Sequence, residues 1–206
     1  MELNFLTFGY LFLRLAPFIL VCFFSLASLF NQDFKGVVYL LGVLGACFTT
    51  TMVGKLPVIS EIVRPTDMDP GICNMVTIGN VDNISSLPLG QTVISFTFTY
   101  ILYAIIKNEI VSDNIFTILF FSILTFFDLI WNINNSCYQI SQMIISMLTG
   151  AGIGILWASV IASTKSTNLK YFVGKNNNEV CSKPSSNTFR CNVYKNGKMI
   201  AKNISG

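Results

Sequence analysis

There is no histidine anywhere in this chain of 206 residues. That absence removes the commonest general base, the commonest metal ligand and any imidazole nucleophile. Charge is scarce as well. Asp, Glu, Lys and Arg make up 11% of the chain, against roughly 25% in ordinary soluble domains. The six cysteines include no Cys-x-x-Cys pair, so the spacing of a structural zinc site is missing. No basic patch interleaved with aromatic residues occurs, which argues against nucleic acid as a partner. Nothing in the sequence asks for a cofactor or a metal.

What the chain has is apolar surface. It is 52% hydrophobic with a mean hydropathy of +0.62. A membrane-spanning helix needs roughly 20 mostly apolar residues. Several windows meet that need, and five segments read as spans: Phe5 to Phe30, interrupted by Arg14 and Pro17, then Gly36 to Gly54, Thr92 to Ile106 with a start a few residues earlier allowed, Asn114 to Trp131, and Ile140 to Ala162. The first is too long for the apolar region of a signal peptide and lacks a small-residue cleavage site, so it reads as a retained span. Short polar turns separate most of the spans, at Asn31–Lys35, Lys107–Asp113 and Asn132–Ser136. A long polar connection, Lys55 to Gly90, joins the second span to the third. The expected fold is therefore all-α: an integral membrane bundle of about five transmembrane helices over residues 1–165, then a polar basic tail over 166–206. In the tail, Asn196-Gly197 is a hairpin-turn pattern and predicts a small β-hairpin.

Loop charge gives the orientation. Seven of the 13 basic residues lie from Lys170 onward, which places the tail in the cytoplasm and the 55–90 connection on the lumenal or extracellular side. Asn-x-Ser acceptor patterns at Asn83 and Asn134 fall on that outer side, and a third, at Asn203, in the tail. Cys181 and Cys191 would pair only in an oxidising compartment. Cys22 and Cys47 lie in apolar runs and read as small packing residues. Arg14 and Asp128 are charges within otherwise apolar spans, and such residues are functional candidates by default. The plainer readings are that Asp128, about one turn from its helix end, reaches the outer interface, and that Arg14 flanks a span starting after it. A pair between the two is a further reading. Gly150, Gly152 and Gly154 suit a helix-packing seam.

The polar edges of the outer side carry the remaining pattern. The connection contributes Lys55, Arg64-Pro65 and Cys73-Asn74, and the third span opens "PLGQT", Pro88 to Thr92. The fifth is introduced by "WNINNSCYQISQM", Trp131 to Met143. In order and placement these edges resemble the type 2 phosphatidic acid phosphatase (PAP2) superfamily of integral membrane lipid phosphatases. That family carries Lys-x6-Arg-Pro, then Pro-Ser-Gly-His at a helix start, then Ser-Arg-x5-His-x3-Asp (or Gln) before a Gly-rich last helix. Arg64-Pro65 matches the first motif, but Pro57 stands where its lysine should be and Lys55 is two residues away. Pro88 and Gly90 match the second, with Leu89 in place of its serine and Gln91 in place of its histidine. In the third, Trp131 and Asn132 replace Ser-Arg, Tyr138 replaces the nucleophilic histidine, and Gln142 matches the Gln variant of the orienting acid. The resemblance covers about Lys55 to Gly154. The spacing of Arg64-Pro65, Cys73-Asn74 and Pro88 also resembles divergent members found in large DNA viruses.

The resemblance implies a catalytically degenerate relative. Family members attack phosphorus with one imidazole and protonate the leaving oxygen with a second, while Arg and Lys hold the phosphoryl charge. Gln91 hydrogen-bonds but cannot transfer a proton near neutral pH. Tyr138 is a poor nucleophile without strong activation. The leading expectation is a non-catalytic structural or interaction protein of a viral or intracellular membrane. Its partners would be the lipid bilayer, an anionic lipid headgroup held by Arg64 and Lys55, and a protein contacting the tail. Three alternatives stand beside it: a lipid-phosphate headgroup binder or transporter, an active phosphatase with an unrecognised nucleophile such as Cys137, and an unrelated multi-span protein.

Overall fold

A chain inside hydrocarbon has to satisfy each backbone N–H and C=O from within, and a helix does so along one segment. Five helices follow from this constraint. The computed structural model describes residues 5–57, 59, 85–164, 193–195 and 198–201. Helix α1 runs Phe5–Asn31, α2 Lys35–Gly54, α3 Leu89–Lys107, α4 Ile115–Asn134 and α5 Ile140–Ser163. A single 3-10 turn, Ser112–Asn114, leads into α4. All five helices are long and apolar enough to cross a membrane, as an integral multi-pass membrane protein requires. Chain contacts divide the molecule into two units, Met1–Val173 and Gly174–Gly206.

Three of the helices end in the same way. At the C-terminus of α1, Gln32 takes φ 52°, and the Asp33 N–H donates to the Ser28 carbonyl. Glu109 after α3 and Ser136 after α4 take φ 56° and 54°. There the N–H groups of Ile110 and Cys137 reach back to the carbonyls of Ile105 and Asn132. These are Schellman closures, in which a left-handed residue returns the chain onto its own last turn. None of the three is glycine, so the polar turns of the sequence are made by residues that pay a steric cost there.

Helix α3 is the centre of the bundle. Over half of its span is buried (56%), against 17–33% for the other four. Its most extensive partner is α5, and small residues explain why. Ser146, Gly150, Gly154 and Ala158 recur every fourth position along α5 and are all buried. A methyl group on Gly150 would stand 2.5 Å from the Thr92 carbonyl oxygen, and one on Gly154 would stand 2.8 Å from that of Phe96. Without a side chain at either place the two backbones close on each other, the usual basis of helix association in lipid. Gly152, by contrast, faces open space and does not belong to the seam expected of all three glycines. Helix α2 repeats the device with Gly42, Ala46, Thr50 and Gly54, all buried. Between these stripes sits an aromatic group: Tyr39 and Phe96 are fully buried, Tyr100 nearly so, and the Phe96 and Tyr100 rings stack at 5.9 Å.

Polar side chains lock the helices in register. Thr97 Oγ1 donates to the Val93 carbonyl at 2.7 Å, so the Tyr39 hydroxyl donates to Thr97 Oγ1, also at 2.7 Å, joining α2 to α3. Trp157 Nε1 of α5 donates to the Val38 carbonyl of α2 at 3.0 Å. Ser95 Oγ donates to the Met147 carbonyl at 2.7 Å. The outward surfaces of α1, α2, α4 and α5 carry large apolar side chains, among them Phe18, Leu44, Phe116 and Leu156, as helices facing lipid do.

In the second unit, β1 (Val193–Lys195) and β2 (Lys198–Ala201) pair antiparallel, Tyr194 opposite Met199 and Lys195 opposite Lys198. This is the hairpin expected around residues 196–197, which themselves lie outside the described residues.

Candidate functional site

The site expected from the sequence lies where α3 and α5 begin and α2 ends. Pro88 is the N-cap of α3, with extended backbone (φ −69°, ψ 103°), and offers no capping side chain. Its carbonyl accepts the Thr92 N–H at 3.3 Å, which closes the first turn. Gly90 occupies that turn, and a methyl group added there would lie 3.3 Å from Cγ of Pro17 on α1. Gln91 follows, 1% exposed. Neither its amide nitrogen nor its carbonyl oxygen has a hydrogen-bond partner among the described residues. Such a group ordinarily costs about 1–3 kcal/mol in lost hydration.

A layer of hydroxyls lies beneath it. Thr92 Oγ1 donates to Thr50 Oγ1 at 3.2 Å, and Thr50 Oγ1 lies 3.1 Å from Thr149 Oγ1, so α3, α2 and α5 meet through three threonines. Ser146 is fully buried and its hydroxyl also has no partner among the described residues. Its level follows from the register of α3 and α5, which run in the same direction. Ser86 meets Gln142, Ser95 meets Met147 and Thr99 meets Ala151, which places Ser146 at the level of Gln91. The sequence pattern does not single out Ser146, Thr50 or Thr149. The four-residue recurrence of small side chains on α5 was visible, but a small residue reads first as packing.

Gln142 is committed to structure. Its Oε1 accepts the backbone N–H of Gln139 at 2.8 Å, and its Nε2 donates to the Ser86 carbonyl at 3.2 Å. One carboxamide thus caps α5 and fastens the end of the long connection to it. Tyr138 is half-buried in the turn between α4 and α5. Cys137 beside it is 1% exposed and disulfide-bonded, which removes the thiolate that a substitute nucleophile needs. Lys55 is exposed at the C-cap of α2. Arg64 and Pro65 lie outside the described residues. The structure therefore brings Pro88, Gly90, Gln91 and Gln142 together with Ser146 and the threonine layer, and puts Lys55 at the rim.

A second polar group lies between α1 and α4. Asp128 is 7% exposed and has six further helical residues before α4 ends at Asn134. The expected distance of about one turn from the helix end is therefore corrected to nearly two: the Schellman closure carries the helix past Trp131. Arg14 is likewise inside α1, half-buried, and not a charge preceding the span. The two interact electrostatically. Asn132 Nδ2 adds donated bonds to the Asp128 carbonyl at 2.7 Å and to Oδ1 at 3.1 Å. Beside this group α1 and α4 leave an open apolar groove of about 470 Å³, lined by Phe12, Leu13, Phe127 and Trp131 among others.

Chemically, the α3–α5 site offers amides and hydroxyls. Serine and threonine attack as nucleophiles only with a base beside them, and Ser146 has no such neighbour among the described residues. Comparison of the chain with family models, with curated proteins and with solved structures finds no match.

Proposed function

We propose that this multi-pass membrane protein is a non-catalytic relative of the PAP2 lipid phosphatases, keeping their helical frame for a structural or interaction role in its membrane. One observation carries the reading. Where that family's pattern places a proton-transferring histidine, Gln91 is sealed in the bundle with both amide atoms unpartnered among the described residues. A group in that state neither transfers a proton nor meets bulk water. The neighbouring positions point the same way. Gln142, at the orienting position, is occupied in capping and fastening, and Cys137 is oxidised.

A headgroup-binding role is the second reading, and a separate feature favours it. The first turn of α3 points backbone N–H groups toward the end of the bundle, where a helix start attracts anions, and the unpartnered Gln91 amide and Ser146 hydroxyl lie just inside. Arg64 is the cation expected to hold the charge. Purified protein in nanodiscs containing phosphatidic acid separates the two roles. The structural role predicts the same lipid retention for the native chain and Arg64→Ala. Headgroup binding predicts several-fold weaker retention in the variant.

A further inference from the structure

Of the six cysteines, Cys22 and Cys47 are free. Cys137 is disulfide-bonded, and Cys73, Cys181 and Cys191 are the three remaining candidates for its partner. We infer that the partner is Cys73, and that this end of the bundle faces an oxidising compartment.

Chain path selects among the three. Cys137 stands in the turn before α5, and both ends of the long connection arrive at the same end of the bundle. At its close, the Ser86 carbonyl accepts a hydrogen bond from Gln142. At its start, a methyl group on Gly54 would lie 3.3 Å from Cγ of Leu87. Cys73 is tethered between those two points. The tail instead leaves from the far end of α5, which has 24 residues, about 36 Å at 1.5 Å per residue. For Cys181 or Cys191 to reach Cys137, the polar stretch after Thr164 would have to recross the hydrocarbon. Its backbone polar groups and lysines forbid that passage.

Formation balances simply. The two thiols lose two protons and two electrons to a disulfide donor by thiol–disulfide exchange, and the donor leaves as two thiols. Such bonds persist in secretory and extracellular compartments and are rare in the cytosol. The bond therefore fixes the orientation independently of loop charge: the 55–90 connection outside, the tail in the cytosol.

Sealed microsomes carrying the full chain provide the test, because their cytosolic face is outward. They are treated with a membrane-impermeant phosphine reductant and an impermeant maleimide, with or without detergent, then quenched, proteolysed without further reductant and read by mass spectrometry. The inference predicts a peptide joining Cys73 to Cys137 that survives in sealed vesicles and is lost on adding detergent, with Cys181 and Cys191 labelled in both. Cys137 joined to a tail cysteine would overturn the pairing, as would Cys137 found as an unlabelled free thiol. Reduction of the bond in sealed vesicles would overturn the orientation.

Discussion

Gln91 is the residue on which the functional reading turns, and its environment makes an unusual prediction. A buried amide without partners is a cost, so an apolar side chain of similar length removes that cost and loses no hydrogen bond. Gln91→Met is expected to leave stability unchanged or raise it by up to about 2 kcal/mol, read as thermal unfolding of the purified protein in detergent. A clear fall would mean that the amide is satisfied and has a role to lose. Asp128 behaves in the opposite way, because it does have partners. Asp128→Ala is expected to destabilise strongly, whereas Asp128→Leu combined with Arg14→Met recovers part of the loss. The double-mutant cycle should give a coupling of about 0.5–3 kcal/mol, and additive effects would show that the pair is not coupled. The sequence picked out both Gln91 and Asp128, one by motif and one as a charge in an apolar run. It did not disclose their burial, because that depends on which neighbouring helix covers each face. Asn132, four residues after Asp128 on the same face, looks in the sequence like the start of a turn and is instead that carboxylate's donor.

At the scale of the helices, the apolar runs were legible because lipid permits little else. The helix bounds fall within three residues of those expected from the apolar runs. The difference at the end of α4 has a local cause. Asn132 and Asn134 look like turn residues, yet the left-handed Ser136 allows α4 to continue through them. Positive φ at Gln32, Glu109 and Ser136 is unfavourable for side chains with a Cβ, so Glu109→Gly should raise stability by about 1 kcal/mol, measured by the same unfolding assay. The α3–α5 seam gives a sharper contrast. Gly150→Leu drives a side chain into the Thr92 backbone and should cost about 3 kcal/mol or more, enough to prevent assembly. Gly152→Leu, pointing into open space, should be tolerated. Equal damage from both would argue against that packing. Spacing alone could not separate the two glycines, since the register of α5 on α3 is set by contacts such as Ser95 to Met147.

For the whole molecule, five apolar helices fit a multi-pass membrane protein, and the bundle end where α3 and α5 begin carries, among the described residues, the amides of Gln91 and Gln142 and a layer of hydroxyls. The proposed non-catalytic role makes a plain claim about turnover. It is tested most directly by phosphate release from phosphatidic acid and from dolichyl diphosphate, using the purified full-length chain in detergent micelles. Arg64→Ala and Gln91→Met run alongside. The account predicts release from the native chain no greater than from either variant or from empty micelles. Sustained release by the native chain that Arg64→Ala abolishes would contradict it, and would mean that a residue outside the amide and hydroxyl layer carries the chemistry.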